Sequence, residues 1–328
     1  MASNITLYTE AELKQVVRLD RAMIDLMEKT FATLAQGTVL MPPILSMDIH
    51  DRNGEIDVKT AYVPGMDGFA VKISPGFFNN PALGLPSVNG LMVYFAAETG
   101  MVRAVFLDNG YLTDIRTAAA GGLAARHLAP AQVDTAGVFG TGVQARLQAQ
   151  AAHLERQFRR LLIHGRTPEN AARCADDLAA HFGDAVAVEI ADDPRSMVAA
   201  SQLVITTTPA RGALIEPEWL HPGLHITAMG SDAEGKQELA PAVLAEADVY
   251  CCDRLSQVET LGELQHLHGL TLKAEAIELG DIVSSPSPRQ DDAITIADLT
   301  GTGAQDTAIA SHAFAALEDK DFGTSVVN

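Results

Sequence analysis

Apolar residues recur at two different periods in the first third of the chain. Residues 9–12 have the spacing of a capping box, and an apolar stripe at helical intervals runs from residue 24 to Gly37, which predicts two opening helices. From residue 45 to 106 the period becomes two, with Pro-, Gly- and Asn-rich turns between the segments, and this predicts a mostly antiparallel sheet. Its strands are predicted at 56–62, 69–73, 91–95 and 102–106. An alanine-rich helix is predicted over 113–128.

From residue 133 onward, apolar strands without alternation are followed by helices, one of them over 168–182, which predicts a parallel sheet covered on both faces. A last helix at 304–318 follows a second glycine pair, which we interpret as a helix-entry turn, and this helix is expected to pack onto the first domain. The predicted fold class is therefore α/β. A doubly wound Rossmann domain that binds the dinucleotide is expected over 128–303, and an α+β domain for substrate binding and dimerisation combines 1–127 with 304–328.

A glycine turn joins the first strand of the predicted Rossmann domain to its first helix. Its sequence is Gly140-Thr-Gly-Val-Gln-Ala145. Such a turn needs the first glycine for its backbone angles, the second for close approach of a pyrophosphate and a small third residue for packing. The helix N-terminus then offers unpaired N–H groups to the phosphates. The predicted dinucleotide contacts are Gly140, Thr141, Gly142, Val143 and Gln144. A purely structural turn is the alternative.

The type of nicotinamide cofactor depends on the end of the second Rossmann strand. The sequence there is His164-Gly-Arg-Thr167, without the acid that usually binds the ribose of NAD. Arg166 and Thr167 can instead hold a 2′-phosphate, although Arg166 can also stack on adenine and Thr167 can be an ordinary N-cap. Thr207 and Thr117 complete the predicted cofactor contacts. NAD(H) and NADP(H) both stay open.

Composition excludes several classes of function. The chain has 328 residues, 47% of them hydrophobic, and a net charge of −19, which argues against nucleic acid and anionic membranes as partners. The chain contains no apolar run near the roughly 18 to 20 residues of a membrane span, and no basic segment followed by an apolar one at its start, so a cytoplasmic location is expected. Its three cysteines are expected to be buried free thiols, and no structural metal is expected. An anionic substrate would need a dedicated cluster of Lys and Arg.

Four motifs occur in an order and spacing that resemble the ornithine cyclodeaminase and mu-crystallin family. They are Phe69-Ala-Val-Lys-Ile73, Asp114-Ile-Arg-Thr-Ala-Ala-Ala120, the glycine turn, and Met229-Gly-Ser-Asp-Ala-Glu-Gly-Lys-Gln-Glu-Leu239. The resemblance covers nearly the whole chain. It implies hydride transfer between a nicotinamide and the α-carbon of an amino or imino acid. It also implies a homodimer whose N-terminal domains join into a closed β-barrel, with a Rossmann domain on each side.

The resemblance also implies roles for three residues. Lys72 and Arg116 correspond to the family's cations that bind the carboxylate and polarise the imine, and Asp232 corresponds to its acid/base residue. From the residues alone, Lys72 is equally an exposed strand lysine, and Asp232 is equally a helix N-cap. Arg116 lies in a helix that looks buried, where a guanidinium requires an anion.

Two departures from the family pattern concern the substrate. Many members carry Pro-x-Arg where this chain has Pro42-Pro43-Ile44, so one carboxylate-binding arginine is absent. Lys59 falls where ornithine cyclodeaminases carry a glutamate for the distal amine. A cation there would repel ornithine and pair with a second carboxylate, which suggests a dicarboxylic imine such as iminosuccinate. The alternative is a solvated strand lysine in a slipped register.

Three functions are consistent with the sequence. The leading one is an NAD(P)H-dependent imino-acid reductase, reversible as an amino-acid dehydrogenase, that acts on a small anionic substrate. The second is an ornithine-type cyclodeaminase, a lyase that retains its NAD. The third is a non-enzymatic, nucleotide-dependent binding protein, which the joint presence of Lys72, Arg116 and Asp232 disfavours.

Overall fold

Ten α-helices and seventeen strands are present in residues 4–327, the part of the chain that the computed structural model describes. The helices are α1 Glu10–Val16, α2 Arg21–Ala35, α3 Tyr111–Leu128, α4 Val143–Glu155, α5 Pro168–Phe182, α6 Pro194–Ala200, α7 Pro241–Glu246, α8 Leu255–Val258, α9 Leu279–Ser284 and α10 Gly303–Leu317. The strands are β1 Asn4–Thr9, β2 Leu45–Ile49, β3 Gly54–Ala61, β4 Gly68–Phe77, β5 Leu91–Ala96, β6 Val102–Leu107, β7 Thr135–Phe139, β8 Arg160–His164, β9 Ala187–Ile190, β10 Leu203–Thr206, β11 Arg211–Ile215, β12 His225–Ala228, β13 Gln237–Leu239, β14 Val249–Cys252, β15 Ile277–Glu278, β16 Thr295–Asp298 and β17 Thr324–Val327.

The chain forms two compact units. Unit 1 contains the residues up to Leu19, Lys29–Arg116 and the residues from Thr302 onward, and unit 2 contains Asp20–Glu28 and Thr117–Gly301. These limits differ from the sequence-based division, which placed 20–28 and 117–127 in the first domain. The division of function between the two domains stays a prediction, and its outer limits at residues 1 and 328 lie outside the described residues.

Unit 1 is built on a seven-stranded sheet in the order β17-β1-β6-β5-β4-β3-β2. Every neighbouring pair is antiparallel except β1 with β6, so the predicted mostly antiparallel sheet is confirmed. The strands β1 and β17 were not predicted from the sequence. These short strands pair with each other from opposite ends of the chain, and such a long-range pairing leaves no local signature.

The first turn of α10 is held between two strands of this sheet. Thr302 and Gln305 form a capping box that fixes the start of the helix. The Thr307 hydroxyl donates to the carbonyl of Ala61 in β3 and accepts from the amide of Ala70 in β4. A side chain at Gly303 would lie 2.3 Å from the Thr60 carbonyl oxygen, so only glycine permits this approach. The predicted helix-entry turn is therefore present, and α10 belongs to unit 1.

Unit 2 has the predicted parallel sheet, in the order β15-β14-β16-β12-β10-β7-β8-β9. All its pairs are parallel, and its buried side chains form an apolar core that includes Phe139, Val204, Ile226 and Tyr250. The chain leaves β7 toward β8 and β9 on one side, then returns to β10 on the other. This reversal between β7 and β10 is the position where doubly wound sheets bind ligands, at the carboxyl ends of the strands.

Candidate active site

The glycine turn follows β7 at the point of reversal, and its two glycines serve different needs. Gly140 has a φ of 117°, and a Cβ there would lie 2.4 Å from Thr207 Oγ1, so the backbone itself requires glycine. A Cβ on Gly142 would meet no atom within 4 Å. Internal packing therefore does not explain Gly142, whereas a phosphate group approaching the main chain does. Ala145 is fully buried, as the predicted packing position requires.

A cavity of about 510 Å³ opens beside this turn. It is lined by the carboxyl ends of β7, β8 and β10 and the loops that follow them, and α4 begins directly after Gly142, so its first backbone N–H groups have no acceptor within the helix. The open glycine position and the helix N-terminus beside this cavity together fit a dinucleotide. The lining residues include Gly140, Thr141, Gly142, His164, Arg166, Thr167, Asn170, Thr207 and Thr208.

Six of the nine predicted cofactor contacts line this cavity, and three do not. Val143 is exposed at the first position of α4, Gln144 accepts a hydrogen bond from Gln148, and the Thr117 carbonyl accepts one from the same side chain. For these three residues cofactor contact stays a prediction. Thr167 is the N-cap residue of α5, but its side chain makes no capping hydrogen bond.

Glu238, which the sequence analysis did not single out, organises one side of the cavity. Its carboxylate accepts hydrogen bonds from the hydroxyls of Thr206 and Thr208 at 2.6 and 2.7 Å, and from the amides of Thr208 and Gly230 at 2.6 and 2.8 Å. It is fully buried. Burial raises the pKa of Glu238, and these hydrogen bonds oppose the rise. Glu238 thus ties the loop after β10 to the loop after β12.

Asp232 lies in the loop after β12, at the carboxyl edge of the sheet where it was predicted. No helix begins there, so the N-cap alternative is wrong. Its Oδ1 accepts from Lys236 Nζ at 2.8 Å, and 47% of its side chain is exposed. The carboxylate is therefore open to solvent, as proton exchange requires.

The predicted cations Lys72 and Arg116 meet at one carboxylate in unit 1. Lys72 Nζ lies 3.1 Å from Asp306 Oδ2, and Arg116 Nε donates to Asp306 Oδ1 at 3.0 Å. Lys72 and Arg116 are 2% and 4% exposed, and Asp306 is fully buried. The interpretation of Lys72 as an exposed strand lysine is wrong. Two buried cations share a single carboxylate, so this trio has a net charge of +1 while Lys72 is protonated.

Lys59 lies beside the cluster of Lys72, Arg116 and Asp306. It is only 7% exposed, and it lies directly opposite Lys72 in the antiparallel pair of β3 with β4. The alternative of a solvated lysine is therefore wrong. Like charges directly opposite each other destabilise a sheet, so two buried lysines in this arrangement require negative charge nearby.

Burial and mutual repulsion change the acidity of this cluster. Burial, followed by the charge of Arg116, lowers the pKa of Lys72 to about 7, although Asp306 acts in the opposite direction. Burial acts to raise the pKa of the Asp306 carboxyl, but Arg116 and the two lysines outweigh it and lower that pKa. Asp306 is therefore ionised, while Lys72 titrates near neutrality.

Asp306 was missed because an acid in the first turn of a helix is ordinary and usually exposed. The available signal was its place in an otherwise apolar and alanine-rich helix, where a buried carboxylate requires a cation.

Cys174, Cys251 and Cys252 are buried free thiols, as predicted. Within residues 4–327, no helix is long and apolar enough to cross a membrane, and no cluster of three potential metal ligands occurs.

Comparison with known proteins gives related sequences over nearly the full length. The chain is 50% identical to an uncharacterized cyclodeaminase of Sinorhizobium fredii (strain NBRC 101917 / NGR234), over 96% of this chain and 97% of that protein. The structure of the iminosuccinate reductase of Paracoccus denitrificans in complex with NAD⁺ matches with a TM-score of 0.88 and 28% identity, over 98% of this chain and 99% of that one. An archaeal alanine dehydrogenase dimer with bound NAD matches with a TM-score of 0.89 and 26% identity, over 98% and 99%.

The family model agrees with these matches and with the motifs. The model of the ornithine cyclodeaminase/mu-crystallin family matches residues 4–321. This range includes the glycine turn, Lys72, Arg116, Asp232 and Asp306. The chain belongs to the ornithine cyclodeaminase/mu-crystallin family.

Proposed function

We propose that this protein is an NAD(P)H-dependent imino-acid reductase, reversible as an amino-acid dehydrogenase, whose substrate is a dicarboxylic imine such as iminosuccinate, reduced to aspartate. The observation that carries the proposal is the buried cluster of Lys72 and Arg116 around Asp306, with Lys59 on the neighbouring strand position. Lys72 and Arg116 share the single carboxylate of Asp306, and two buried cations on one carboxylate are costly unless a further anion completes the group. A small substrate with carboxylates at both ends would do so.

Different residues of unit 2 would bind different parts of the cofactor. Gly142 and the N-terminus of α4 would hold the pyrophosphate, Arg166 and Thr167 the adenosine end, and Thr207 the nicotinamide side. When bound, the nicotinamide supplies a hydride to the imine carbon or accepts one from the amino acid. Because no acid follows β8, both NADH and NADPH are candidates.

The remaining residues act on the substrate. Lys72 and Arg116 would bind the α-carboxylate through charge-assisted hydrogen bonds, and their positive charge would draw electrons from the C=N bond toward nitrogen. Lys59 would bind the second carboxylate. Asp232 would exchange the proton that accompanies the hydride, donating it in reduction and accepting it in oxidation.

A panel of substrates tests this function. Purified protein is mixed with NADH or NADPH, ammonia, and oxaloacetate, pyruvate or glyoxylate, and cofactor oxidation is followed by absorbance near 340 nm. We expect oxaloacetate to give the highest kcat/KM, with aspartate as the product. Equal or faster turnover of pyruvate would contradict the dicarboxylate assignment while leaving the reductase intact.

A second candidate is the cyclodeaminase, favoured by the name of the relative from Sinorhizobium fredii. In that reaction the cofactor is not consumed, so ornithine would be converted to proline and ammonia with no net change in absorbance. Chromatographic detection of proline after incubation with ornithine and NAD⁺ distinguishes the two. We expect none, because Lys59 would repel the distal amine of ornithine.

A further inference from the structure

Contacts between α10 and the sheet of unit 1 fix the position of Asp306. Asp306 lies in the first turn of α10, where Gly303 packs against the backbone of β3 and Thr307 forms hydrogen bonds to β3 and β4. Its two carboxylate oxygens then point to different cations, Oδ1 to Arg116 on α3 and Oδ2 to Lys72 on β4. One carboxylate thus joins two elements that are far apart in sequence.

We propose that Asp306 is a positioning residue of the anion site, which favours the protonated form of Lys72 and fixes Lys72 and Arg116 around one place before the substrate arrives. This inference rests on the proposed function, since it concerns the same cations. It adds a role for a residue that neither the reaction nor the substrate carboxylates would otherwise require.

The charges that face Lys72 explain why a fixed carboxylate is needed. Lys59 opposes it from β3, Arg116 approaches from α3, and Asp108 acts on it from the connection between β6 and α3. Burial raises the pKa of Asp108 to about 6, so this second acid loses its charge below that pH, whereas the carboxylate in direct contact with Lys72 is that of Asp306. A buried lysine beside two cations would lose its proton without a neighbouring anion. Asp306 supplies that anion.

Substrate binding then becomes linked to a proton. The pKa of Lys72 is about 7 in the free protein, and a substrate carboxylate beside the ammonium would raise it. Above pH 7 the free protein holds mostly neutral Lys72, so binding would take up a proton and weaken as the pH rises. Removal of Asp306 would lower this pKa further and move the weakening to lower pH.

A direct titration of Lys72 tests the proposal without any substrate. The protein is labelled with 13C at lysine Cε, the Lys72 signal is assigned by its loss in Lys72→Arg, and its shift is followed from pH 5 to 10. We expect a midpoint near neutrality in the wild type and a midpoint lower by about one pH unit or more in Asp306→Asn, because one opposite charge is lost. Asp321→Asn, exposed in the same unit, should leave the midpoint unchanged. An unchanged midpoint in Asp306→Asn would overturn the proposal.

A second variant keeps the test decisive if Asp306→Asn does not fold. Asp306→Glu retains the charge but lengthens the side chain, so the Lys72 midpoint should stay near the wild-type value while kcat/KM falls at least tenfold. Wild-type kcat/KM in Asp306→Glu would disprove the positioning role. Failure of the proposed function is recognised separately, because the Lys72 midpoint would still fall in Asp306→Asn even if no oxo acid were reduced.

Discussion

We propose that the side chain of Lys59 determines which substrate the protein prefers. It is buried beside Lys72, so its charge is not screened by water as a surface lysine would be. A charge-assisted hydrogen bond in such a place contributes about 1.5 to 3 kcal/mol, or about ten- to a hundredfold in binding. Any substrate that lacks the second carboxylate cannot use it.

We therefore expect Lys59→Ala to reduce kcat/KM for oxaloacetate plus ammonia by about ten- to a hundredfold, and to change that for pyruvate plus ammonia much less. The ratio of the two values in wild type and variant is the measurement. Cofactor affinity serves as the control for folding and should not change. If both oxo acids lose activity equally, Lys59 has no role in choosing the substrate.

Asp232 is expected to be needed for turnover and not for cofactor binding. An amide at this position keeps the shape but cannot exchange a proton, and acid/base groups contribute about 10² to 10⁴ in rate. Asp232→Asn should lower kcat by that factor while the dissociation constant of NADH, measured by fluorescence, stays the same. Asp184→Asn, at an exposed position of the same unit, is the matched control. A variant that keeps most of its kcat would remove Asp232 from the mechanism.

The candidate site residues could be predicted from the sequence better than their burial and their partners. Lys72, Arg116 and Asp232 were identified through the motifs, but whether Lys59 is buried depends on the register of β3 with β4, which no local pattern fixes. The composition of α10 offered a signal for Asp306 itself, but its partners could not be recognised because they lie about 190 and 234 positions away in sequence. Pairing of this kind is visible only after the chain has folded.

At the scale of elements, the turn between β7 and α4 gives the clearest test of the dinucleotide site. Gly142 has open space where a Cβ would be, so Gly142→Val should fold normally and weaken NADH binding at least tenfold by filling the space of the pyrophosphate. Isothermal titration measures the affinity, and thermal unfolding reports the fold. Ala180→Val, at an exposed position near the C-terminal end of α5 in the same unit, should change neither. A folded Gly142→Val protein with wild-type affinity would disprove this assignment.

Glu238 joins the loops after β10 and β12, and its loss should disturb both. In Glu238→Gln one acceptor becomes an NH₂ group that faces the amide of Thr208 or of Gly230, which leaves a buried donor unpaired. That costs about 1 to 3 kcal/mol. We expect a lower melting temperature and weaker NADH binding, whereas the exposed Glu234→Gln should behave as wild type. Unchanged stability of Glu238→Gln would mean that the loops hold their positions without it.

The helices and central strands could be predicted from the periodicity of the sequence, because their apolar residues are the ones that pack into the core. The helix predicted at 168–182 is α5, Pro168–Phe182, whose apolar face and proline at the first turn are local signals. In contrast, β17 has four exposed residues and no apolar alternation, so only its pairing with β1 makes it a strand. Local physics specifies the elements that have a buried face, and long-range pairing specifies the rest.

At the scale of the whole molecule, the sheet of unit 1 ends in an exposed apolar edge. Among the described strands, β2 pairs only with β3, and Leu45 and Met47 on one of its faces are 62% and 54% exposed. A free edge strand with large apolar side chains invites aggregation unless another chain covers it. We therefore expect the homodimer that the family resemblance implies, with this edge in the interface.

Met47→Asp should convert that dimer to a monomer. In a two-fold interface each substitution acts twice, so the loss of two buried methionines costs about 3 kcal/mol or more, or about a hundredfold in the dimer dissociation constant. Two buried aspartates add a desolvation cost. Light scattering coupled to size-exclusion chromatography at micromolar concentration should give twice the chain mass for the wild type and a single chain mass for the variant. Met101→Asp is the matched control, since Met101 is 47% exposed in the turn between β5 and β6 of the same unit, and it should remain dimeric. A dimeric Met47→Asp protein would place the interface elsewhere, and a monomeric wild type would show that this edge stays uncovered in solution.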